Sequence, residues 1–281
     1  MLFLSIMIDL HCHSHFSDGL HSPEYLVEKA IASNVKLLAL TDHDTLDGVS
    51  SLHTAAQDRD ITIINGIELS TRWKKYDIHV LGYLINPDNK DLVRLIDQQN
   101  QSRINRALEI GQRLQTAGIN DAYTKACELA GHRRVGRPHF AQVIVREGLA
   151  VDMKMSFKRF LGRGKPAYIP TPWISMSQAV AAINQAGGLA VLAHPLKYDL
   201  TRTRLHELVC EFKEAGGLGL EVVSGEMGKD EITALAGLCL RYQLQASTGS
   251  DFHGESVSRI SLGRQRQLPL NCTPIWDQWG I

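Results

Sequence analysis

Cysteine is sparse in this chain: five in 281 residues, Cys12, Cys127, Cys210, Cys239 and Cys272. They stand far apart and form no C-x-x-C pair, which argues against a disulfide framework or a zinc ribbon and fits a reducing cytoplasm. Net charge is missing too, with 30 basic against 30 acidic residues, so the chain as a whole is not built to be coated by nucleic acid. The apolar opening MLFLSIMI falls far short of the roughly 20 residues that cross a bilayer. It also lacks the basic flank and small-residue cleavage site of a secretory signal. It therefore reads as the lead-in to a first strand, and a cytoplasmic protein without membrane attachment is expected. Internal repeats and low-complexity tracts are absent, and the composition, 44% hydrophobic and 21% charged, is that of an ordinary globular protein.

The zero net charge hides an asymmetry. Between Gly131 and Lys165 stand nine basic residues (Arg133, Arg134, Arg137, Arg146, Lys154, Lys158, Arg159, Arg163 and Lys165) against Glu147 and Asp152, a local excess of +7. A patch of that sign suits an anionic partner.

Short apolar runs alternate with amphipathic segments along most of the chain, the pattern of βα units. SPEYLVEKAIASN predicts a helix with Ser22 as cap, Pro23 at its first position and an apolar stripe of Leu26, Val27, Ala30 and Ile31. SMSQAVAAINQAGG predicts another, closed by Gly187 and Gly188. Seven strand-like runs carry a His, Asp or Glu, nearly all at or near the C-terminal end. MIDLHCH holds His11 and His13, LLAL runs into His43, ITIINGI into Glu68, GLAVLA into His194, and QASTGS into Asp251 and His253; GLGLEVV carries Glu221. Barrels of βα units place their active sites at those strand ends. His79 lies near the start of DIHVLGYLI, and the short link from Glu68 to Asp77 predicts a hairpin-like reversal that returns it to Glu68. From residue 91 to 165 only helical signals occur, which predicts a helical insertion, a lid or substrate-gripping element, between barrel parts 1–90 and 166–281.

His11, His13 and His15 alternate along DLHCHSH, so in an extended chain they share a face. With Asp18, His43, Glu68, His79, His194, Asp251 and His253, the strand ends offer six imidazoles and three carboxylates, leaving His15 aside. A mixed N/O set suits manganese, iron or zinc in an open catalytic site rather than a closed structural zinc. Two divalent ions against three carboxylates leave a charge of about +1, and three ions about +3; either favours an anionic substrate. Paired ions activate water and stabilise the leaving oxygen of an in-line displacement, so phosphoester hydrolysis is the expected reaction class.

The motifs DLHCHSHFSDG, TDHDT, GIELS, IHVLGY, GRPH, LAHP and GSDFH, in this order, resemble the PHP (polymerase and histidinol phosphatase) superfamily over nearly the whole chain. The resemblance implies a distorted seven-stranded βα barrel. Motif order and insertion are similar to the branch of 3',5'-nucleoside bisphosphate phosphatases and 5'-to-3' exoribonucleases of the ribonuclease AM type, which implies three divalent ions, usually manganese, and a nucleotide or short RNA substrate. It would give His11, His13, Glu68 and Asp251 to one ion and Asp18, His43 and His253 to a second. Glu68 would bridge to a third ion completed by His79 and His194, with ion-activated water as nucleophile and no protein nucleophile. In GRPH, Arg137 and His139 would meet substrate phosphate, as an arginine fork at a helix start can; Arg134 is a further candidate, with Arg133, Lys165 and Lys197 weaker ones. Trp73, Tyr76, Tyr168 and Trp173 are candidates for stacking a base. Glu221 is expected to support a ligand, Asp42 and Asp44 to orient His43 or its turn, and His15 to lie at the surface or behind the ligands. A histidinol-phosphate phosphatase shares the metal chemistry but leaves the +7 segment unexplained. A non-catalytic polymerase-associated module should have damaged ligands, and none is damaged here. No obligate protein partner is indicated.

Overall fold

The computed structural model describes residues 7–280, so most of the apolar opening lies outside the described residues. In chain order the barrel begins with β1 (Met7–Asp9), α1 (Pro23–Ala32), β2 (Val35–Leu40), α2 (Val49–Ala56), β3 (Thr62–Trp73) and β4 (Tyr76–Tyr83). Helices α3 (Lys90–Thr116), α4 (Ala122–Ala130), α5 (Arg137–Arg146) and α6 (Met153–Ser156) follow. The barrel resumes with α7 (Met176–Gln185), β5 (Leu189–Leu192), α8 (Arg202–Glu214), β6 (Gly219–Ser224), α9 (Lys229–Tyr242) and β7 (Gln245–Gly249). The chain divides into two compact units, one of residues 1–95 and 174–281, the other Ile96–Trp173.

The seven strands form one sheet in sequence order. Parallel pairing joins β1, β2 and β3, and again β5, β6 and β7; β4 is antiparallel to both its neighbours. The ring closes past the short β1: the Leu10 amide donates to Thr248 O (3.1 Å), the Asp251 amide to His11 O (2.8 Å) and the His13 amide to Phe252 O (2.9 Å). This crossing needs a glycine, because a Cβ on Gly249 would lie 2.2 Å from the Cβ of His11. Both faces of the strands are covered, which accounts for their unbroken apolar runs. On β2, Leu37 and Ala39 join the barrel interior with Leu10, Leu81 and Val191. Val35, Leu38 and Leu40 face the layer formed with Leu26, Val27 and Leu52.

Local chemistry sets the helices where the sequence placed them. Ser22 accepts the Tyr25 amide and Pro23 opens α1, which buries Leu26, Val27 and Ala30. Ser175 and Gln178 cap α7 reciprocally, and Gly187 takes φ +77° just past its end. The stretch after Glu68 departs from the expected link: β3 continues to Trp73 and pairs residue for residue with β4, so the reversal is a long hairpin whose turn lies at Lys74 and Lys75. The Ile96–Trp173 unit has a core of its own around Ile110, Leu114, Phe140, Ile144, Leu161 and Ile169. Among the described residues no helix is long and apolar enough to cross a membrane.

Candidate metal centre

All nine residues from the strand ends meet in one cluster. His11 and His13 leave β1 in extended chain, both fully buried; His43 follows β2, His194 follows β5, and Asp251 and His253 follow β7. The antiparallel β4 explains His79. Because β4 runs backwards, its beginning lies where the parallel strands end, and His79 pairs with Ser70. Glu68, two residues earlier on the same face of β3, is then its diagonal neighbour.

Glu68 is the hub. Its Oε2 lies 3.1 Å from His43 Nδ1, 3.2 Å from His13 Nε2 and 3.3 Å from His11 Nε2. Its Oε1 lies 2.8 Å from His79 Nδ1 and 2.9 Å from His194 Nε2. Asp251 Oδ1 stands 3.3 Å from His13 Nε2 and 3.4 Å from His11 Nε2. Asp18 Oδ1 stands 3.3 Å from His253 Nε2, 3.8 Å from His43 Nε2 and 3.9 Å from His13 Nδ1. Among the described residues four overlapping sets have the donor spacing of metal sites: His13, Asp18, His43 and His253; His11, His194 and Asp251; His11, His13 and Glu68; and His43, Glu68 and His79. Donor atoms about 3–4 Å apart can share an ion bound roughly 2.0–2.2 Å from each.

The residues present fit such ions. His11 Nδ1 lies 2.8 Å from Glu221 Oε1, which leaves Nε2 as the lone-pair nitrogen when Nδ1 carries the proton. That Nε2 faces His13 Nε2 at 3.1 Å, and two ring nitrogens at that distance need a proton or a cation beside them. Asp18 Oδ1, His43 Nδ1 and His194 Nδ1 are buried with no hydrogen-bond partner, although ligand-type atoms crowd the first two. Buried polar atoms are seldom left so.

Electrostatics tell the same story. Burial opposes charge on His11, yet Glu221, Asp251 and Glu68 hold its pKa well above the usual imidazole range. His13, equally buried, is pushed up to about 10 by Asp251 and Glu68. Burial raises the carboxyls of Asp18, Glu68 and Asp251, but the surrounding imidazoles, with Lys197 on Asp251, hold all three well below the ordinary carboxylate range. His43 and His194 are pushed down, burial leading in each. A site whose anions stay ionised in a buried setting has a strong demand for cations.

A PHP domain model matches residues 9–151. The chain belongs to the PHP family. It is 39% identical to a 5'-3' exoribonuclease of Haemophilus influenzae over 96% of this chain and 98% of that protein. It is 38% identical to a 3',5'-nucleoside bisphosphate phosphatase of Chromobacterium violaceum over 96% and 95%. A solved structure of a C. violaceum amidohydrolase with bound sulfate and no metal superposes with a TM-score of 0.91 at 38% identity, covering 96% of this chain and 94% of that one.

Around the cluster, this PHP barrel supplies a layer of supports. Glu221 lies fully buried within β6; besides His11, it accepts the His194 amide through Oε2 (2.6 Å). His194 needs the anchor, since its backbone sits at φ 25°, ψ 59°, a conformation rare for a residue with a side chain. Partners of this kind fix ligand orientation, and their loss costs about 10–100-fold in metal affinity. Glu221→Gln is expected to weaken manganese binding by roughly that factor, read by titration against a competing chelator. Binding within about twofold of the parent would contradict this role. The Tyr198 hydroxyl accepts the His79 amide (2.8 Å) and donates to Ala193 O (3.0 Å), joining the β4 and β5 ends that bear His79 and His194.

Asp42 serves the turn: it accepts from the Ser14 amide (2.7 Å), the Ser14 hydroxyl and the Ser17 hydroxyl (both 2.6 Å). Asp44 accepts the Ser70 amide (2.8 Å). His15 is exposed, against Phe16. Lys197 is ion-paired with Asp251. Tyr198 and Asp9 escaped the sequence reading; Tyr198 bonds the main chain at His79, and the buried Asp9 accepts the Ser250 and Gly263 amides, groups that only the fold brings near. Arg134, Arg137 and His139 belong to the Ile96–Trp173 unit. There His139 Nδ1 accepts the Gly136 amide (3.1 Å) and closes the start of α5, while the half-buried Arg137 lies 5.9 Å from the Phe157 ring. Among the aromatic candidates, Trp73 is 4% exposed and donates to Glu211 (2.6 Å), and Trp173 stacks with Arg103 at 4.9 Å.

Proposed function

We propose that this PHP protein is a metal-dependent phosphoesterase that hydrolyses the 3'-phosphoester of 5'-phosphorylated nucleotides. Its substrates are nucleoside 3',5'-bisphosphates and 5'-phosphorylated RNA trimmed from the 5' end. The convergence of six imidazoles on three ionised carboxylates, with Glu68 shared among five of those histidines, carries this reading. Two full-length relatives with these activities point the same way.

We assign three divalent ions, manganese first, to these ligands: His11, His13, Glu68 and Asp251; Asp18, His43 and His253; and Glu68, His79 and His194. Bound there, divalent ions supply the Lewis acidity that activates water and neutralises charge on the phosphoryl and leaving oxygens. The protein's own part is preorganisation. Glu221 holds His11 and the His194 backbone, Tyr198 holds the His79 backbone, and Glu68 ties both halves of the cluster together. Arg137 recognises the 5'-phosphate, for which a guanidinium is suited by its planar pair of donors.

A manganese-supplemented panel tests this: adenosine 3',5'-bisphosphate, 5'-phosphorylated short RNA, 5'-hydroxyl RNA and histidinol phosphate. The first two are expected to be turned over best, and chelation to stop both until manganese is restored. Preference for histidinol phosphate would overturn the assignment. Arg137→Ala is expected to lower kcat/KM for 5'-phosphorylated substrates by roughly 10–100-fold, the worth of a charge-assisted hydrogen bond. An equal loss on 5'-hydroxyl RNA would remove Arg137 from that role.

A further inference from the structure

Beside the metal cluster lies a cleft that the chemistry above leaves unused. It has a volume of about 330 Å³ and shares Asp251 and His253 with the cluster. Its remaining wall comes from the same barrel unit: Lys197 after β5, Ser224 at the end of β6 with Glu226 beyond it, and Ser250 and residues 257–260 after β7. The wall mixes serine hydroxyls, the cations Lys197 and Arg259, the carboxylates Asp251 and Glu226, and the apolar Val257 and Ile260. Among the described residues no Phe, Tyr or Trp lines it, so beyond the His253 imidazole it offers no platform for a base to stack on and suits a sugar–phosphate backbone instead.

The two proposed substrates differ at one oxygen. In a nucleoside 3',5'-bisphosphate the scissile phosphate is terminal. In RNA the same phosphorus carries a further ester to the 5'-oxygen of the next nucleotide, which must leave the cluster through open space beside the phosphate. We propose that this cleft is the downstream-strand subsite, holding the ribose and following phosphate of the nucleotide attached to the scissile phosphorus. This rests on the phosphoesterase reading above. In the step it serves, water adds to phosphorus, the P–O3' bond breaks and O3' leaves with a proton. The downstream chain keeps the phosphate as its new 5'-phosphate, the group the next cycle requires.

Two features favour this occupant. Lys197, whose side chain is half exposed, stands on the Asp251 rim between cluster and cleft, where a diester's remaining charge would lie. Arg259 is 85% exposed, and among the described residues its side chain is held by a 3.5 Å contact to Glu226, so it can swing to a phosphate one nucleotide further on. The loop itself is firmly based, since the Ser258 hydroxyl accepts the His253 amide (2.7 Å); a change at the exposed Val257 or Arg259 side chain leaves that base in place.

The test compares kcat/KM on adenosine 3',5'-bisphosphate with kcat/KM on a 5'-phosphorylated trinucleotide, using manganese-loaded protein. Val257→Trp, which fills the cleft, is expected to lower the RNA-to-bisphosphate ratio at least roughly tenfold. Arg259→Ala is expected to lower it several-fold at low salt, with a shallower salt dependence for RNA. An unchanged ratio in both variants would overturn the proposal, as would equal losses on both substrates. A parent protein active on the bisphosphate alone would also overturn it while leaving the phosphatase reading intact. A parent inactive on both would instead break the reading on which it rests.

Discussion

Glu68→Gln is expected to lower kcat by about 10³ or more and to remove at least one metal ion per chain. Glutamine keeps the shape of the side chain, and one oxygen can still accept a hydrogen bond, so the change tests charge rather than packing. Glu68 is 1% exposed and touches His11 and His13, His43, His79 and His194. Neutralising it withdraws the carboxylate that contacts five of the six histidines. It also weakens the pull that holds His13 up to about 10. Loss of several kcal/mol of charge stabilisation in a site of low dielectric corresponds to the rate factor given. Metal analysis after gel filtration and steady-state turnover with manganese check the prediction together. Full metal content with a rate within tenfold of the parent would show that the centre is held by other residues.

Asp9→Ala is expected to destabilise the fold by about 3–5 kcal/mol, because it strands buried backbone amides. Asp9 is fully buried. Its Oδ1 accepts the Ser250 amide (2.8 Å) and the His11 amide (3.3 Å), and its Oδ2 accepts the Gly263 amide (2.8 Å). Burial pushes its pKa up while these donors pull it down. One side chain thus ties β1 to the end of β7 and to the loop beyond, at the seam where the barrel closes. In a chain of this size the loss corresponds to a Tm drop on the order of 10 °C. Asp9→Asn, which keeps one acceptor oxygen, should fall between the two. Because His11 is itself a ligand and Ser250 precedes Asp251, metal retention should weaken in step with stability. An alanine variant melting within about 2 °C of the parent would show that water or a local shift satisfies those amides.

How far the site could be read in advance varied with the range of the interactions involved. His11 and His13 were legible because alternation along an extended chain is local geometry. His43, Glu68, His194, Asp251 and His253 were legible because each ends or follows an apolar run, and βα barrels gather such ends on one face. His79 required a reversal, which the short spacing from Glu68 to Asp77 implied; that β3 runs on to Trp73 as paired strand did not show, because polar Thr71, Arg72, Lys74 and Lys75 read as a link. Glu221 was recognised as a support, but not its grip on both His11 and the His194 amide. The role of Tyr198 left no signal, since its hydroxyl bonds main-chain atoms 119 residues earlier and 5 residues earlier.

The sequence by itself determined the family and its barrel through the resemblance of its motifs, and it marked candidate metal ligands because each stands at or near the end of a short apolar run. Only the tertiary structure decided the rest: that Glu68 is shared by five histidines, that Asp9 seals the β1–β7 seam, and that a cleft lined among the described residues by no Phe, Tyr or Trp opens beside Asp251. Those features depend on contacts between residues up to 254 positions apart, where distance in space is set by strand order and register rather than by spacing along the chain.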